Sequence, residues 1–127
     1  MPNAIVWADI PVTDMDRAKK FYGAVLQTEL MSFPGQENVA IPPRELGPIA
    51  FDLAKTDRQP STEGPTVYLG SMGDINAMVK RVEDAGGTVL QPPTDMGPMV
   101  GIIAFILDSE GNRIGIQQMS DQKAPGQ

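Results

Sequence analysis

Val12-Thr-Asp-Met-Asp-Arg-Ala-Lys-Lys-Phe-Tyr-Gly-Ala-Val-Leu26 is the stretch from which the architecture can be read. Thr13 or Asp14 offers a side-chain oxygen to the first free N–H groups of a helix, and Asp16 places negative charge in its first turn. Met15, Ala18, Phe21, Tyr22 and Val25 then recur at i, i+3, i+6, i+7 and i+10, a single apolar stripe. Arg17, Lys19 and Lys20 fall on the other side and are expected to face water. Phe21 and Tyr22 therefore read as core residues. Upstream, residues 4–12 alternate as a strand does. Val6, Ala8, Ile10 and Val12 form a uniformly apolar face suited to a helix layer, whereas Ile5, Trp7, Asp9 and Pro11 mix an aromatic ring with a carboxylate, which suggests a cavity face.

The same plan restarts sixty positions later. Asp14–Leu30 aligns without a gap on Asp74–Leu90, with identity at Asp14/Asp74, Lys20/Lys80, Thr28/Thr88 and Leu30/Leu90. The second stripe is Ile75, Met78, Val79, Val82 and Ala85, and Gly86-Gly87 supplies the helix stop. Further strands are expected at 27–33, 39–41, 49–54, 65–70, 88–90, 102–107 and 112–118, with a hairpin turn at Asp108–Gly111. Pro34-Gly35 reads as a turn and Pro42-Pro43 as a break. Residues 55–64 are polar and read as a linker, and the Pro- and Met-containing segment 92–101 reads as a loop. Each half is thus β-α-β-β-β. The expectation is one α+β domain of two modules, about 4–55 and 65–119, with a curved mixed sheet around a cleft.

The totals narrow the function. A chain of 127 residues with 41% hydrophobic and 20% charged content can build a core unaided. Sixteen acidic against ten basic residues give a net charge of −6, which argues against nucleic acid and anionic membranes as partners. Cysteine is absent, so disulfides, thiol nucleophiles and thiolate-bound metals are excluded; a cytoplasmic location is compatible with that. Histidine is also absent, which removes the commonest metal ligand and the commonest base near neutral pH. No apolar run is long enough to span a bilayer. The start, Met-Pro-Asn-Ala, lacks the pattern of a secretory signal, and the polar residues 120–127 are expected to fray.

Two motifs carry a family resemblance: Val12-x-Asp14-x-x-Arg17-Ala18-x-x-Phe21-Tyr22-x-x-Val25-Leu26 and Ile103-Ala-Phe105-x-x-Asp108-x-x-Gly111-Asn112-x-Ile114. Over about residues 4 to 119 the chain resembles the vicinal oxygen chelate superfamily, which includes glyoxalase I, extradiol dioxygenases and the bleomycin and fosfomycin resistance proteins. The resemblance implies paired β-α-β-β-β modules and homodimers. In the enzymes it implies a divalent metal held by His and Glu from the first and last strand of each module, polarising two neighbouring substrate oxygens. In this chain the corresponding positions hold Trp7, Asp52, Thr66 and Gly115. Only Asp52 retains a metal-ligating side chain, and Asp9 is the one further carboxylate on the same face. That donor set is poor for a transition metal, so neither a metal nor another cofactor is expected.

The ligand-binding candidates are Trp7, Asp9, Asp52, Thr66, Tyr68, Gly115 and Gln117. Trp7 either stacks on a planar ligand or plugs the place of the metal. Asp52 and Arg113 either form a structural ion pair or act as base and substrate anchor. Tyr68 and Gln117 suit polar contacts in an apolar pocket. The Met96-Gly-Pro-Met99 segment reads as a lid or as a plain connection. The leading expectation is a homodimeric small-molecule-binding protein of the glyoxalase/bleomycin-resistance kind, without the metal site. The alternatives are a lyase or dioxygenase with a degenerate metal site at Asp52 and Asp9, and a cofactor-free lyase or isomerase using Asp52 and Arg113.

Overall fold

The computed structural model describes residues 4–47 and 50–119. The first module runs β1 (Trp7–Pro11), α1 (Met15–Leu26), β2 (Met31–Phe33), β3 (Gln36–Ile41), a short 3-10 turn (Arg44–Leu46) and β4 (Ala50–Ala54). The second runs β5 (Val67–Gly70), α2 (Ile75–Asp84), β6 (Thr88–Asp95), β7 (Ile102–Leu107) and β8 (Arg113–Gln118). Both sheets have the same strand order, β1-β4-β3-β2 and β5-β8-β7-β6, with the first and last strands of each module parallel and adjacent. The α+β pattern of paired modules is therefore as the sequence implied.

Each helix forms for the reasons its sequence gives. The Asp14 side chain accepts from the Arg17 N–H and Asp74 from the Asn76 N–H. The stripes Ala18, Phe21, Tyr22, Val25 and Ile75, Met78, Val79, Val82 are buried. The helices pack against one another and against their own sheets, giving one core that includes Ile10, Leu53, Ile106 and Ile116. Each such side chain contributes about 1.5–3 kcal/mol on burial. Gly87 is set by close packing: a Cβ there would lie 2.7 Å from Val82, 2.8 Å from the Leu107 carbonyl oxygen and 2.8 Å from Phe21.

Several boundaries differ from expectation. β1 begins at Trp7, and Val6, expected on the helix-facing side, is exposed. Gln27 belongs to the helix end, with a left-handed φ of 55°, so β2 starts only at Met31. β3 starts earlier, at Gln36, and β5 later, at Val67. β6 continues through Pro92 and Pro93 to Asp95 because it is an edge strand, where a missing N–H breaks no ladder. The expected loop shrinks to a tight hairpin closed by Met96 N–H to the Gly101 carbonyl and Gly101 N–H to the Gly97 carbonyl. Ile49 and residues 120–127 lie outside the described residues.

The two signature motifs hold each other. Glu110, in the β7–β8 turn, accepts from the Thr13 and Asp14 N–H groups and from both Nε and Nη2 of Arg17. Arg17, expected merely to face water, is thus part of a clamp. In the same turn Asp108 accepts from the buried Tyr22 hydroxyl at 2.5 Å and from the Asn112 N–H. Asn112 in turn donates to the Pro11 carbonyl and accepts from Ser61 N–H, tying β1 and the linker to β8. This polar network fixes the first strand relative to the second module.

Candidate ligand-binding site

Strand alternation places the candidate residues on the sheet faces turned away from the helices. On β1 and β4, Asp9 and Asp52 are direct partners across the parallel pair, and Trp7 pairs with Ala50. The Trp7 indole N–H donates to Asp52 Oδ2 at 3.2 Å. Asp52 Oδ1 is buried without a hydrogen-bond partner. Burial pushes the Asp52 carboxyl up, the neighbouring Asp9 carboxylate adds to that, the Trp7 indole opposes it, and the result is about 6. Asp9 also faces Arg58 at 3.8 Å, an exposed pair.

On the second sheet, Gly115 lies between Tyr68 of β5 and Phe105 of β7. With no side chain at 115, the two rings meet edge-on, with centroids 5.9 Å apart. A Cβ on residue 115 would lie 2.5 Å from Tyr68 Cδ2 and 2.6 Å from Cε2. The Arg113 guanidinium stacks 4.0 Å from the Phe105 ring centre and donates through Nη1 to the Thr66 hydroxyl at 2.7 Å. Gln117 donates to the Val100 carbonyl and so anchors the β6–β7 hairpin.

The candidates therefore fall into two groups. Trp7, Asp9 and Asp52 come together on the first sheet; Thr66, Tyr68, Gly115 and Arg113 come together on the second. The expected Asp52–Arg113 pairing does not form: the partners of Asp52 are Trp7 and Asp9, and those of Arg113 are Thr66 and Phe105. Phe105 was missed by sequence reading because β7 is apolar on both faces, so alternation gives no signal there.

One cavity takes its lining from both modules. It measures about 530 Å³ and lies at the seam between β1 and β5. Its floor uses the core residues Leu26, Phe51 and Leu69, and Thr66 and Tyr68 line its wall. Met96 and Met99 are exposed and do not line it.

The four positions that the resemblance assigns to metal ligands make a poor donor set. Trp7 presents an N–H, the Thr66 hydroxyl already receives a guanidinium, and the space above Gly115 holds a ring. Among the described residues no three His, Cys, Asp or Glu side chains cluster in a way that could hold a metal ion. One carboxylate with such neighbours does not fit a divalent cation. Among the described residues no helix is long and apolar enough to cross a membrane.

The family model of the glyoxalase/bleomycin resistance protein/dioxygenase superfamily matches residues 4–116. The chain belongs to this superfamily. A glyoxylase-like domain-containing protein of Didymella fabae is 30% identical over 113 residues, covering 82% of this chain and 84% of the relative. CFP32 of Mycobacterium bovis, which bears a glyoxylase name, is 28% identical over 126 residues; the chain spans 44% of its length. A glyoxalase/bleomycin resistance protein from Albidiferax ferrireducens superposes with a TM-score of 0.73 at 22% identity, over 91% of this chain and 99% of that one. The fosfomycin resistance protein FosX from Mesorhizobium loti gives 0.65 at 13% identity, with 93% of each chain covered. At these identities the structural likenesses show the superfamily fold alone.

Proposed function

We propose that this superfamily member binds a small organic molecule without a catalytic divalent metal, as a sequestering or resistance-type protein. The observation that carries this reading is the Tyr68 ring seated over Gly115, in the space that a ligating side chain there would need. Trp7 beside the Asp9–Asp52 pair supports a planar cationic ligand, since an indole face and a carboxylate both attract such a cation. Half-exposed rings on both outer sheet faces, Trp7 at 44% and Tyr68 at 46%, support a homodimer as the working form.

Two measurements test it. Elemental analysis of the purified protein is expected to find no stoichiometric divalent metal; tightly held metal at one per chain defeats the reading. Binding of the planar cation thioflavin T is expected to weaken as salt is raised and in Asp52→Asn, and salt-independent affinity removes the cationic assignment.

A second reading rests on the same pair. Asp52, at about 6 with an unpartnered Oδ1, is suited to exchanging a proton with a substrate carbon or oxygen. This would be cofactor-free lyase or isomerase chemistry. Arg113, held by Thr66 and Phe105, would have no part in the proton transfer. Full turnover by Asp52→Asn on a substrate found by screening eliminates this alternative.

A further inference from the structure

We propose that the seam cavity between β1 and β5 is a second binding site, for an uncharged and predominantly apolar small molecule. It is separate from the carboxylate-bearing face of the first sheet and does not depend on the function proposed for that face. At about 530 Å³ it has the size of a ligand pocket. Its floor is preformed, because Leu26, Phe51 and Leu69 are held in the common core rather than free to collapse inward. Among the described residues its wall contains no Asp, Glu, Lys or Arg. A charged ligand would leave its charge desolvated and unpaired there.

The same wall offers direction as well as apolar surface. All four residues of β5, Val67–Gly70, line the cavity, although side chains alternate between the two faces of a strand. The strand edge itself must therefore front the space. Among the described residues β5 pairs only with β8, so its other edge of N–H and C=O groups is unpaired. The Thr66 hydroxyl is already engaged by Arg113, which leaves backbone groups and the Tyr68 side chain as polar partners. The chemistry that fits is an apolar or aromatic body carrying one or two neutral hydrogen-bonding groups, such as a carbonyl, amide or phenol. Ile5 and Met72, exposed at the rim, extend the apolar surface outward.

The full chain would be titrated with the neutral dye N-phenyl-1-naphthylamine, read by the rise and blue shift of its fluorescence. Saturable binding to one site is expected. Ala8→Leu, which fills part of the cavity, should weaken it about tenfold or more. Met72→Ser, a change at a rim residue that is 41% exposed, should weaken it about threefold and decides the matter if the Ala8 variant does not fold. Thioflavin T, the cation suited to the carboxylates, should not displace the dye. Absence of saturable binding, parental affinity in every folded variant, or displacement by the cation would each overturn the assignment. Loss of thioflavin T binding alone would sink the function proposed for the first sheet and leave this site standing.

Discussion

The ring of Tyr68 occupies the space above Gly115, its direct partner across the parallel β5–β8 pair: a Cβ on residue 115 would lie 2.5 Å from Tyr68 Cδ2. Gly115→Ala is therefore expected to destabilise the fold by about 1–3 kcal/mol, as overpacking of a fixed site does. Adding Tyr68→Ala should recover much of the loss, because the clash is between these two groups. Urea denaturation of both single variants and the double variant measures the coupling; strictly additive effects would contradict the geometry.

Glu110 sets an acid limit on stability. Burial alone would raise its carboxyl, but hydrogen bonds from Arg17 and from the Asp14 and Thr13 N–H groups overcome that and hold it at about 2, against an ordinary 4.5. A depressed folded-state value stabilises above the unfolded value and is lost as pH falls between them. Stability should thus decline from about pH 4.5 towards about 2. Glu110→Gln should be less stable at neutral pH and show a flatter profile in that window, measured by thermal unfolding across pH.

Asp52 has the opposite sign. Its carboxyl rises from an ordinary 3.8 to about 6, so the folded state holds a proton that the unfolded state has released. Ionising it costs stability as pH rises through that window. Asp52→Asn, which can still accept from the Trp7 indole, is expected to be more stable than the parent above about pH 6. The difference should close as pH falls towards 3.8. Paired melting curves at both ends of the window check this; a destabilised variant at neutral pH would count against a raised Asp52 carboxyl.

Tyr22 carries a bond that its ring alone does not explain. Its hydroxyl is fully buried and donates to Asp108 at 2.5 Å, and burial pushes its own ionisation far up. Tyr22→Phe keeps the packing but removes a hydrogen bond to a carboxylate, with an expected loss of about 1.5–3 kcal/mol. Chemical denaturation reads it directly, and a loss within error of zero would mean that Asp108 is satisfied by Asn112 and Glu110 alone.

Much of the fold was legible because its signals are local. The caps at Asp14 and Asp74 and the apolar stripes of both helices depend on residues three or four apart, which the sequence places directly. The errors fell where a neighbour from elsewhere decides. Pro92 and Pro93 remain in a strand because β6 lies at a sheet edge, and edge position is a property of strand order. Arg17 looked like a solvated lysine-type position until a turn ninety-three residues away supplied Glu110.

The sequence by itself determined the two β-α-β-β-β modules, the superfamily, and the absence of His and Cys with the chemistry they would bring. It also named most of the residues on the outer sheet faces, since a period of two is written in the chain. Only the tertiary structure decided which of them meet. Strand order brings β1 beside β4 and β5 beside β8, each pair being the first and last strands of its module with a helix and two strands between them in sequence, and so joins Asp9 to Asp52 and Tyr68 to Gly115. The seam cavity likewise takes its lining from both modules, a matter of long-range packing that no local pattern records.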